Sequence, residues 1–364
     1  MRQRPFKQVD VFTATPYLGN PLAVVLDGSG LSDDDMQRFA HWTNLSETTF
    51  LLPPTDSAAD YRLRIFTPGG ELPFAGHPTL GSCHSWLQAG GQPASRDFIM
   101  QECKLGLIRI RRERGERRLA FAAPPLKRSA PEPAWLAGVV AALGIQPAQI
   151  LATQLLDNGP VWLGLLLDSV ETVLQLSPDY RALESLKADV GVAALYPLQQ
   201  SPPLIARANR EAQAFIAPTL ATACAALPPG GAGLAWGGPA LRPVAPTLAT
   251  ACAALPPEGA GLALGGPALR PLGPTFAVAT TDAPDLEVRA FAVGMGVNED
   301  PVTGSLNASL AQWLIAEGHM PQRYLASQGV CLDRAGLVHV ERDEHGQVWV
   351  GGESVTCVDG QVLL

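Results

Sequence analysis

Two short segments in opposite halves of the chain each lead from a β-rich run into an apolar helix through a glycine-containing turn. The first segment reads FAGHPTLGSCHSWL (74–87), and the second reads EDPVTGSLNASLAQWL (299–314). Their similarity predicts a protein of two similar lobes, in which both helix starts point into one cleft. Two positive helix-dipole ends at one place would attract an anionic substrate.

The first turn supplies Gly76, His77, Pro78 and Thr79 as candidate site residues. Gly76 allows the backbone to approach a ligand closely, and the free N–H groups of a helix start can hold a carboxylate or an oxyanion. His77 is suited to relay a proton or to donate a hydrogen bond. Taken alone, the same residues also fit a tight turn with a helix cap.

The second turn supplies Asp300, Thr303, Gly304 and Ser305. It again presents free N–H groups at a helix start, next to polar side chains. An aspartate or threonine that only caps the helix is the alternative interpretation of this segment.

Glu47 is the candidate proton carrier, within NLSETTF (44–50) and between a helix end and a strand. A carboxyl group in a partly dry site has a raised pKa and can hold or release a proton near neutral pH. A solvated or helix-capping glutamate is the alternative.

Composition and net charge limit the classes of molecule that the protein is expected to bind. The chain has 364 residues, which favours two domains. Its formal net charge of -8 argues against nucleic acid and anionic membranes as partners. The N-terminus lacks the apolar core of a signal peptide, and no run of about 18 apolar residues predicts a membrane helix.

Cysteine and histidine spacing argues against a metal site. The six cysteines are spread along the chain without a CxxC pair, and HExxH is absent. His77 and His84 are seven residues apart, with no carboxylate or cysteine at ligand spacing. A reduced, cytoplasmic location fits these cysteines best, and the chain also lacks GxxxxGK[ST] and GxSxG.

A 28-residue tandem repeat occupies residues 217–244 and 245–272, and its two copies differ at three positions. Two copies are too few for a solenoid, which needs about three or more. A loosely packed surface insertion is the favoured interpretation, and an oligomerisation or binding element is the alternative. Cys224 and Cys252 occupy equivalent positions, but nothing in the sequence shows that they pair.

Periodicity, caps and turn residues predict the remaining elements. A linker is predicted over 124–133. Helices are predicted near 33–40 and over 78–88, 135–143 and 303–317, and strands over 7–12, 22–26, 48–52, 61–66, 98–100, 107–110, 119–121, 161–167, 286–291, 337–341, 348–351 and 361–364.

Five stretches together resemble the phenazine-biosynthesis PhzF-like family, which shares the fold of diaminopimelate epimerase. They are VDVFTATPYLGNPLAVV (9–25), NLSETTF (44–50), FTPGGELPFAGHPTLG (66–81), DNGPVWLG (157–164) and RAFAVGMGVNEDPVTGSLNASLAQWL (289–314). The tail GGESVTCVDGQVLL (351–364) also fits this pattern.

The resemblance implies an α+β fold of two pseudo-symmetric lobes, each a mixed β-sheet around a central helix. The lobes would comprise residues 1–125 and 126–364, with the last strand returning to the first lobe. An insertion at about 201–285, which contains the repeats, departs from the family pattern. A homodimer is expected.

The resemblance also implies roles for residues. Epimerase relatives use cysteines at the two helix starts, where this chain has Ala75 and Asp300, which argues against two-thiol epimerisation. In PhzF-like proteins the corresponding glutamate carries the proton, so the resemblance implies this role for Glu47, with His77 and Asp300 as catalytic partners. Gly76, Pro78, Thr79, Thr303, Gly304 and Ser305 would bind the substrate.

The expected function is a cofactor-independent isomerase that moves a proton between carbons of a small anionic metabolite. A non-catalytic binding protein of the same fold, for a small molecule or a protein, is one alternative. An amino-acid racemase or epimerase is the other.

Overall fold

The computed structural model describes residues 1–112, 118–197 and 283–364, all of which fall in one compact unit. The repeats at 217–272, with Cys224 and Cys252, lie outside the described residues. Within the described part of the chain, no helix is both long enough and apolar enough to cross a membrane.

Residues 1–125 form eight strands and two helices among the described residues. They are β1 (Gln3–Val11), β2 (Asn20–Val25), α1 (Asp33–Thr43), β3 (Glu47–Leu52), β4 (Tyr61–Thr67), β5 (Gly70–Leu72), α2 (Gly76–Gln88), β6 (Phe98–Cys103), β7 (Gly106–Arg112) and β8 (Leu119–Ala122).

Residues 126–364 contribute ten strands and four helices among the described residues. They are β9 (Lys127–Ser129), α3 (Pro133–Leu143), β10 (Ile150–Asp157), β11 (Val161–Leu167), α4 (Val170–Gln175), α5 (Tyr180–Ser185), β12 (Val190–Leu195), β13 (Leu286–Ala292), β14 (Val297–Asp300), α6 (Gly304–Ala316), β15 (Arg323–Gln328), β16 (Gly336–Arg342), β17 (Val348–Gly352) and β18 (Ser354–Leu363).

Strand pairing follows the same scheme twice. In the first set, β1–β2 is antiparallel, β2–β3 parallel, β3–β4 and β4–β5 antiparallel, β4–β6 parallel, and β6–β7 and β7–β8 antiparallel. Strands β10 to β17 repeat this scheme strand for strand. The two sets join where β8 pairs with β17, and the last strand, β18, pairs with β1.

The helices α2 and α6 occupy equivalent places, after the fifth strand of each set. In α6, 11 of 13 residues are buried, and in α2, 9 of 13 are buried. A helix that is apolar on nearly every face needs cover on every face. Its own set of strands supplies much of this cover, because α2 contacts β1, β2, β3 and β4, and α6 contacts β10, β11, β16 and β17.

The structure corrects several predicted elements. The predicted linker at 124–133 contains β9, which pairs with β10 although all three of its residues are exposed. Backbone hydrogen bonds hold β9 in the sheet, so this strand leaves no apolar pattern in the sequence. Strands β5, β10, β14 and β15 were also not predicted.

The starts of α2 and α6 touch each other through two glycines. A Cβ atom on Gly76 would come within 2.8 Å of the Gly304 Cα, and one on Gly304 within 2.9 Å of the Gly76 Cα. Any side chain at either position would therefore push the helix starts apart. The two glycines bring the N-terminal ends of both helices to one point.

Gly304→Ala should lower the free energy of unfolding by about 1–3 kcal/mol, because the added methyl group overpacks a backbone contact. Gly138→Ala is the matched control. Gly138 lies inside α3, and its added Cβ would meet only the flexible Leu186 side chain at 3.4 Å.

Gly138→Ala should be neutral or stabilising by up to about 1 kcal/mol, through helix propensity. Chemical denaturation of the three proteins measures both effects. Equal stability changes in the two variants would contradict a special contact at Gly304.

Candidate active site

One cleft lies at the point where the helix starts meet. Of the nine site residues predicted from sequence, seven line it: Glu47, Gly76, His77, Asp300, Thr303, Gly304 and Ser305. The remaining lining residues are Ser46, Thr67, Leu72, Phe74, Ala75, Pro160, Trp162, Ala292, Met295 and Val297.

Pro78 and Thr79 are not among the lining residues. Both are buried in the first turn of α2. The Thr79 hydroxyl donates to the Ala75 carbonyl oxygen (2.9 Å) and accepts from Gln101 Nε2 (3.0 Å), so its polar group serves the protein interior. The structure therefore gives these two residues a packing role.

Neither helix start carries a side-chain cap. The N-cap residues are Ala75 and Thr303, and neither side chain accepts a hydrogen bond from its own helix. Among the described residues, the backbone N–H groups of Gly76, His77, Gly304 and Ser305 have no acceptor. These donors remain available to a negatively charged group in the cleft.

Glu47 begins β3 and stands in parallel register with Leu22 of β2. Its side chain is largely buried, with 14% exposed. Burial raises the pKa of Glu47 well above its usual range, and the negative charge of Asp300 raises it further. The carboxyl group therefore holds its proton at a pH where an exposed glutamate has lost it.

His77 is the direct neighbour of Glu47, with its Nε2 atom 3.3 Å from Glu47 Oε2. Burial lowers the pKa of His77 to about 3. An ion pair needs a charged imidazole and a charged carboxylate, and burial disfavours both charged forms here. The contact therefore joins two neutral groups.

Asn20, at the start of β2, fixes the histidine and connects the two strand sets. Its Nδ2 atom donates to Asp300 Oδ1 and to the Val302 carbonyl oxygen, both at 2.9 Å, and lies 3.3 Å from His77 Nδ1. Both hydrogens of this amide nitrogen go to Asp300 and Val302, and the nitrogen itself accepts no hydrogen bond. A hydrogen on His77 Nδ1 would therefore find no acceptor there, which favours the neutral tautomer with its hydrogen on Nε2, toward Glu47.

Asp300 is buried and accepts hydrogen bonds at both carboxylate oxygens. Thr303 Oγ1 donates to Oδ2 at 2.5 Å, and Asn20 donates to Oδ1. Burial raises the pKa of Asp300, while these two hydrogen bonds favour its charged form. Gln328 supports this arrangement, since it donates to Thr303 Oγ1 and accepts from the Thr303 N–H, both at 3.0 Å.

Sequence reasoning assigned no role to Asn20 or Gln328. Asn20 lay inside the stretch at 9–25 that carried the family resemblance, but its partner is 280 residues away. Gln328 lies in β15, which was not predicted. The only available signal was a polar residue next to a glycine turn, which is common in surface loops.

The structure also corrects the pairing of the two helix starts. Thr303 is the N-cap that precedes Gly304, as Ala75 is the N-cap that precedes Gly76. Thr303 is therefore the counterpart of Ala75, and Asp300 lies three residues earlier. Neither N-cap position holds an ionisable side chain.

The rest of the cleft wall is mainly apolar. Among the described residues of the lining there is no Lys or Arg. The described part of the chain also contains no group of three His, Cys, Asp or Glu side chains placed to hold a metal ion. The helix-start N–H groups are thus the positive feature that the described lining offers to an anion.

Comparisons with known proteins agree with the fold. A crystal structure of a phenazine biosynthesis protein of the PhzF family from Bacillus anthracis superposes with a TM-score of 0.66 over 100% of both chains, at 19% identity. The α+β architecture predicted from the resemblance is confirmed by this likeness.

Two curated relatives match about half of the chain. Antisense-enhancing sequence 1 of Schizosaccharomyces pombe is 42% identical over 193 residues, which are 51% of this chain and 65% of that protein. Trans-2,3-dihydro-3-hydroxyanthranilate isomerase of Pseudomonas aeruginosa is 37% identical over 180 residues, which are 48% of this chain and 61% of the relative. In both matches the chain covers less than two thirds of the relative.

The sequence profile of one family, described as phenazine biosynthesis-like protein, matches residues 9–208 and 271–360. The interval between the two matched parts contains nearly all of the tandem repeat. The matched residues make up most of the chain and include the cleft residues of both strand sets. The chain therefore belongs to the phenazine biosynthesis-like (PhzC-PhzF) protein family.

Proposed function

We propose that the protein is a cofactor-independent isomerase that moves a proton between two carbons of a small carboxylate metabolite, with Glu47 as the acid/base. The observation that carries the proposal is a buried glutamate, with a raised pKa, at the meeting point of two uncapped helix starts. The name of the P. aeruginosa relative, an isomerase of a hydroxylated cyclic amino acid, supports the reaction class.

The contacts of Glu47 give its two carboxyl oxygen atoms different roles in the proposed reaction. Oε2 lies 3.3 Å from His77 Nε2, which carries the imidazole hydrogen and can donate it. This leaves Oε1 to carry the acidic proton toward the substrate. When Glu47 transfers that proton to a carbon, the His77 N–H stabilises the new carboxylate.

The reaction needs a second feature, which is stabilisation of negative charge on the substrate. After Glu47 has given its proton to one carbon, its carboxylate removes a proton from another carbon, which restores protonated Glu47. The electron pair of the broken C–H bond forms the shifted double bond, in conjugation with the negatively charged carboxylate of the substrate. The N–H groups of Gly76, His77, Gly304 and Ser305 are suited to hold that charge, since preorganised backbone donors act without reorganisation. Asp300 then keeps Glu47 protonated until the substrate carbon accepts the proton.

The placement of ionisable groups favours a shift of a proton over racemisation. Racemisation by two bases needs a proton acceptor on one face of a carbon and a donor on the other. Here Glu47, His77 and Asp300 form one connected cluster, and neither N-cap residue can exchange a proton. A racemase or epimerase remains the alternative outcome, and chiral analysis of the product distinguishes the two.

A non-catalytic binding protein has no need for a buried glutamate that carries a proton. The homodimer and the cytoplasmic location remain predictions of the sequence and its resemblance. They can be measured independently of the reaction.

Glu47→Gln should reduce turnover of trans-2,3-dihydro-3-hydroxyanthranilate by about 10²- to 10⁴-fold, the usual contribution of a general acid/base. In heavy water, the wild-type product should gain deuterium at one carbon, because Glu47 exchanges its proton with solvent. Product formation and mass spectrometry measure both effects.

Asp189→Asn is the matched control. Asp189 immediately precedes β12, which is the counterpart of β3 in the second strand set, and Glu47 begins β3. Unlike Glu47, Asp189 does not line the cleft, and its Oδ1 accepts a hydrogen bond from the Gly294 N–H at 2.8 Å. This variant should keep nearly full turnover. Undiminished activity in Glu47→Gln would remove Glu47 from the mechanism.

The turnover number should fall as pH rises through the raised pKa of Glu47, because the acid must be protonated before it can give its proton. Asp300→Asn should move this fall to lower pH, since the negative charge of Asp300 is one cause of the raised pKa. His77 should stay neutral across the range pH 5–9, because its pKa is about 3. A pH–rate profile that rises over the same range in the wild-type protein would contradict this order of protonation.

A further inference from the structure

The cleft contains one buried donor that the proposed mechanism does not use. Trp162 lines the cleft and is 0% exposed, and its indole Nε1 has no acceptor among the described residues. A buried N–H group without an acceptor is uncommon in folded proteins and calls for an explanation. A bound molecule that supplies the acceptor is one such explanation.

The local structure places Trp162 beside the start of α6. Asn158, in the turn before β11, donates from Nδ2 to the Ser305 carbonyl oxygen at 2.9 Å. Pro160, two residues further on, also lines the cleft. Further along β11, a Cβ on Gly164 would come within 2.9 Å of Trp313 in the third turn of α6. The strand thus runs along the helix from its first turn, with Trp162 near the cleft end.

Trp162 belongs to the second strand set, whereas Glu47 and His77 belong to the first. A ligand held by the helix-start N–H groups would therefore meet the acid/base from one set and the indole donor from the other. Trp162 shares the cleft lining with apolar residues of the second strand set, namely Pro160, Ala292, Met295 and Val297. This surrounding favours an uncharged acceptor over a second carboxylate.

We propose that the Trp162 indole N–H donates a hydrogen bond to an uncharged oxygen of the substrate, and so selects monocarboxylates that carry a hydroxyl or carbonyl oxygen on an otherwise apolar body. This inference rests on the proposed function for the position of the carboxylate. It adds a specificity-determining residue and a substrate class. A neutral indole donor discriminates by the presence of an acceptor and not by charge.

The test compares two pairs of non-reacting aromatic acids, namely benzoate with 3-hydroxybenzoate and anthranilate with 3-hydroxyanthranilate. The wild-type protein should bind the hydroxylated member of at least one pair about tenfold more tightly. Trp162→Phe, which keeps an aromatic ring and loses the N–H, should abolish this preference while changing the affinity for the plain acid by less than about twofold. Calorimetry measures the affinities.

Trp313→Phe is the matched control. Trp313 is also buried, 1% exposed, with an Nε1 that has no acceptor among the described residues, but it does not line the cleft. This variant should keep the hydroxyl preference. Equal affinity for both members of each pair in the wild type, including binding of neither, would overturn the proposal, and so would equal weakening of both acids by Trp162→Phe.

A second measurement uses the unaltered protein, in case Trp162→Phe does not fold. With ¹⁵N-labelled indole groups, the Trp162 N–H resonance should move downfield when the hydroxylated acid binds and not when the plain acid binds. An unchanged Trp162 resonance at saturation would overturn the proposal.

The turnover of the Glu47→Gln protein, taken together with the binding of the acid pairs, separates the selectivity proposal from the proton-transfer proposal. If the hydroxyl preference depends on Trp162 while Glu47→Gln retains turnover, the proton-transfer proposal fails and the selectivity proposal stands. If Glu47→Gln abolishes turnover but no preference depends on Trp162, the selectivity proposal fails alone.

Discussion

The contact between Gly76 and Gly304 is the constraint on which the rest of the site depends. It brings two uncapped helix starts together at a distance that any side chain would prevent. Two positive dipole ends at one point repel each other, and their N–H groups lack acceptors within the described protein. A negatively charged group at this point offsets the repulsion between the dipole ends and accepts hydrogen bonds from the free N–H groups. Asp300 supplies part of that charge, and an anionic ligand is suited to supply the rest.

The protonation states follow from this arrangement. Burial raises the pKa of Asp300, and the hydrogen bonds from Thr303 and Asn20 offset part of that rise. Desolvation raises the pKa of Glu47, and the negative charge of Asp300 raises it further. His77 remains neutral because it is buried, and the amide of Asn20 orients it. Each of these groups thus influences the protonation or orientation of its neighbour, and substituting one of them would alter the protonation or orientation of the others.

The two strand sets share one connectivity but differ in chemistry at equivalent places. Glu47 begins β3 and lines the cleft, whereas Asp189, before β12, binds the Gly294 backbone outside it. Ala75 and Thr303 occupy matching N-cap positions, and only Thr303 has a polar side chain, which serves Asp300. A symmetric scaffold therefore gives the cleft two different walls. The first set supplies Glu47 and His77, and the second set supplies Asp300 and Trp162.

The sequence by itself determined the features that depend on near neighbours. The glycine turns, the apolar helices and the candidates Glu47, His77 and Asp300 follow from local composition, helix-start chemistry and family resemblance. Tertiary structure alone decided the hydrogen-bonding roles of Asn20 and Gln328, the place of Trp162 in the cleft lining, and the exclusion of Pro78 and Thr79 from that lining. These roles depend on contacts between residues as far as 280 positions apart, such as Asn20 with Asp300. A hydrogen bond of that span leaves no periodic pattern in the chain, because its geometry exists only after both strand sets have folded around their helices.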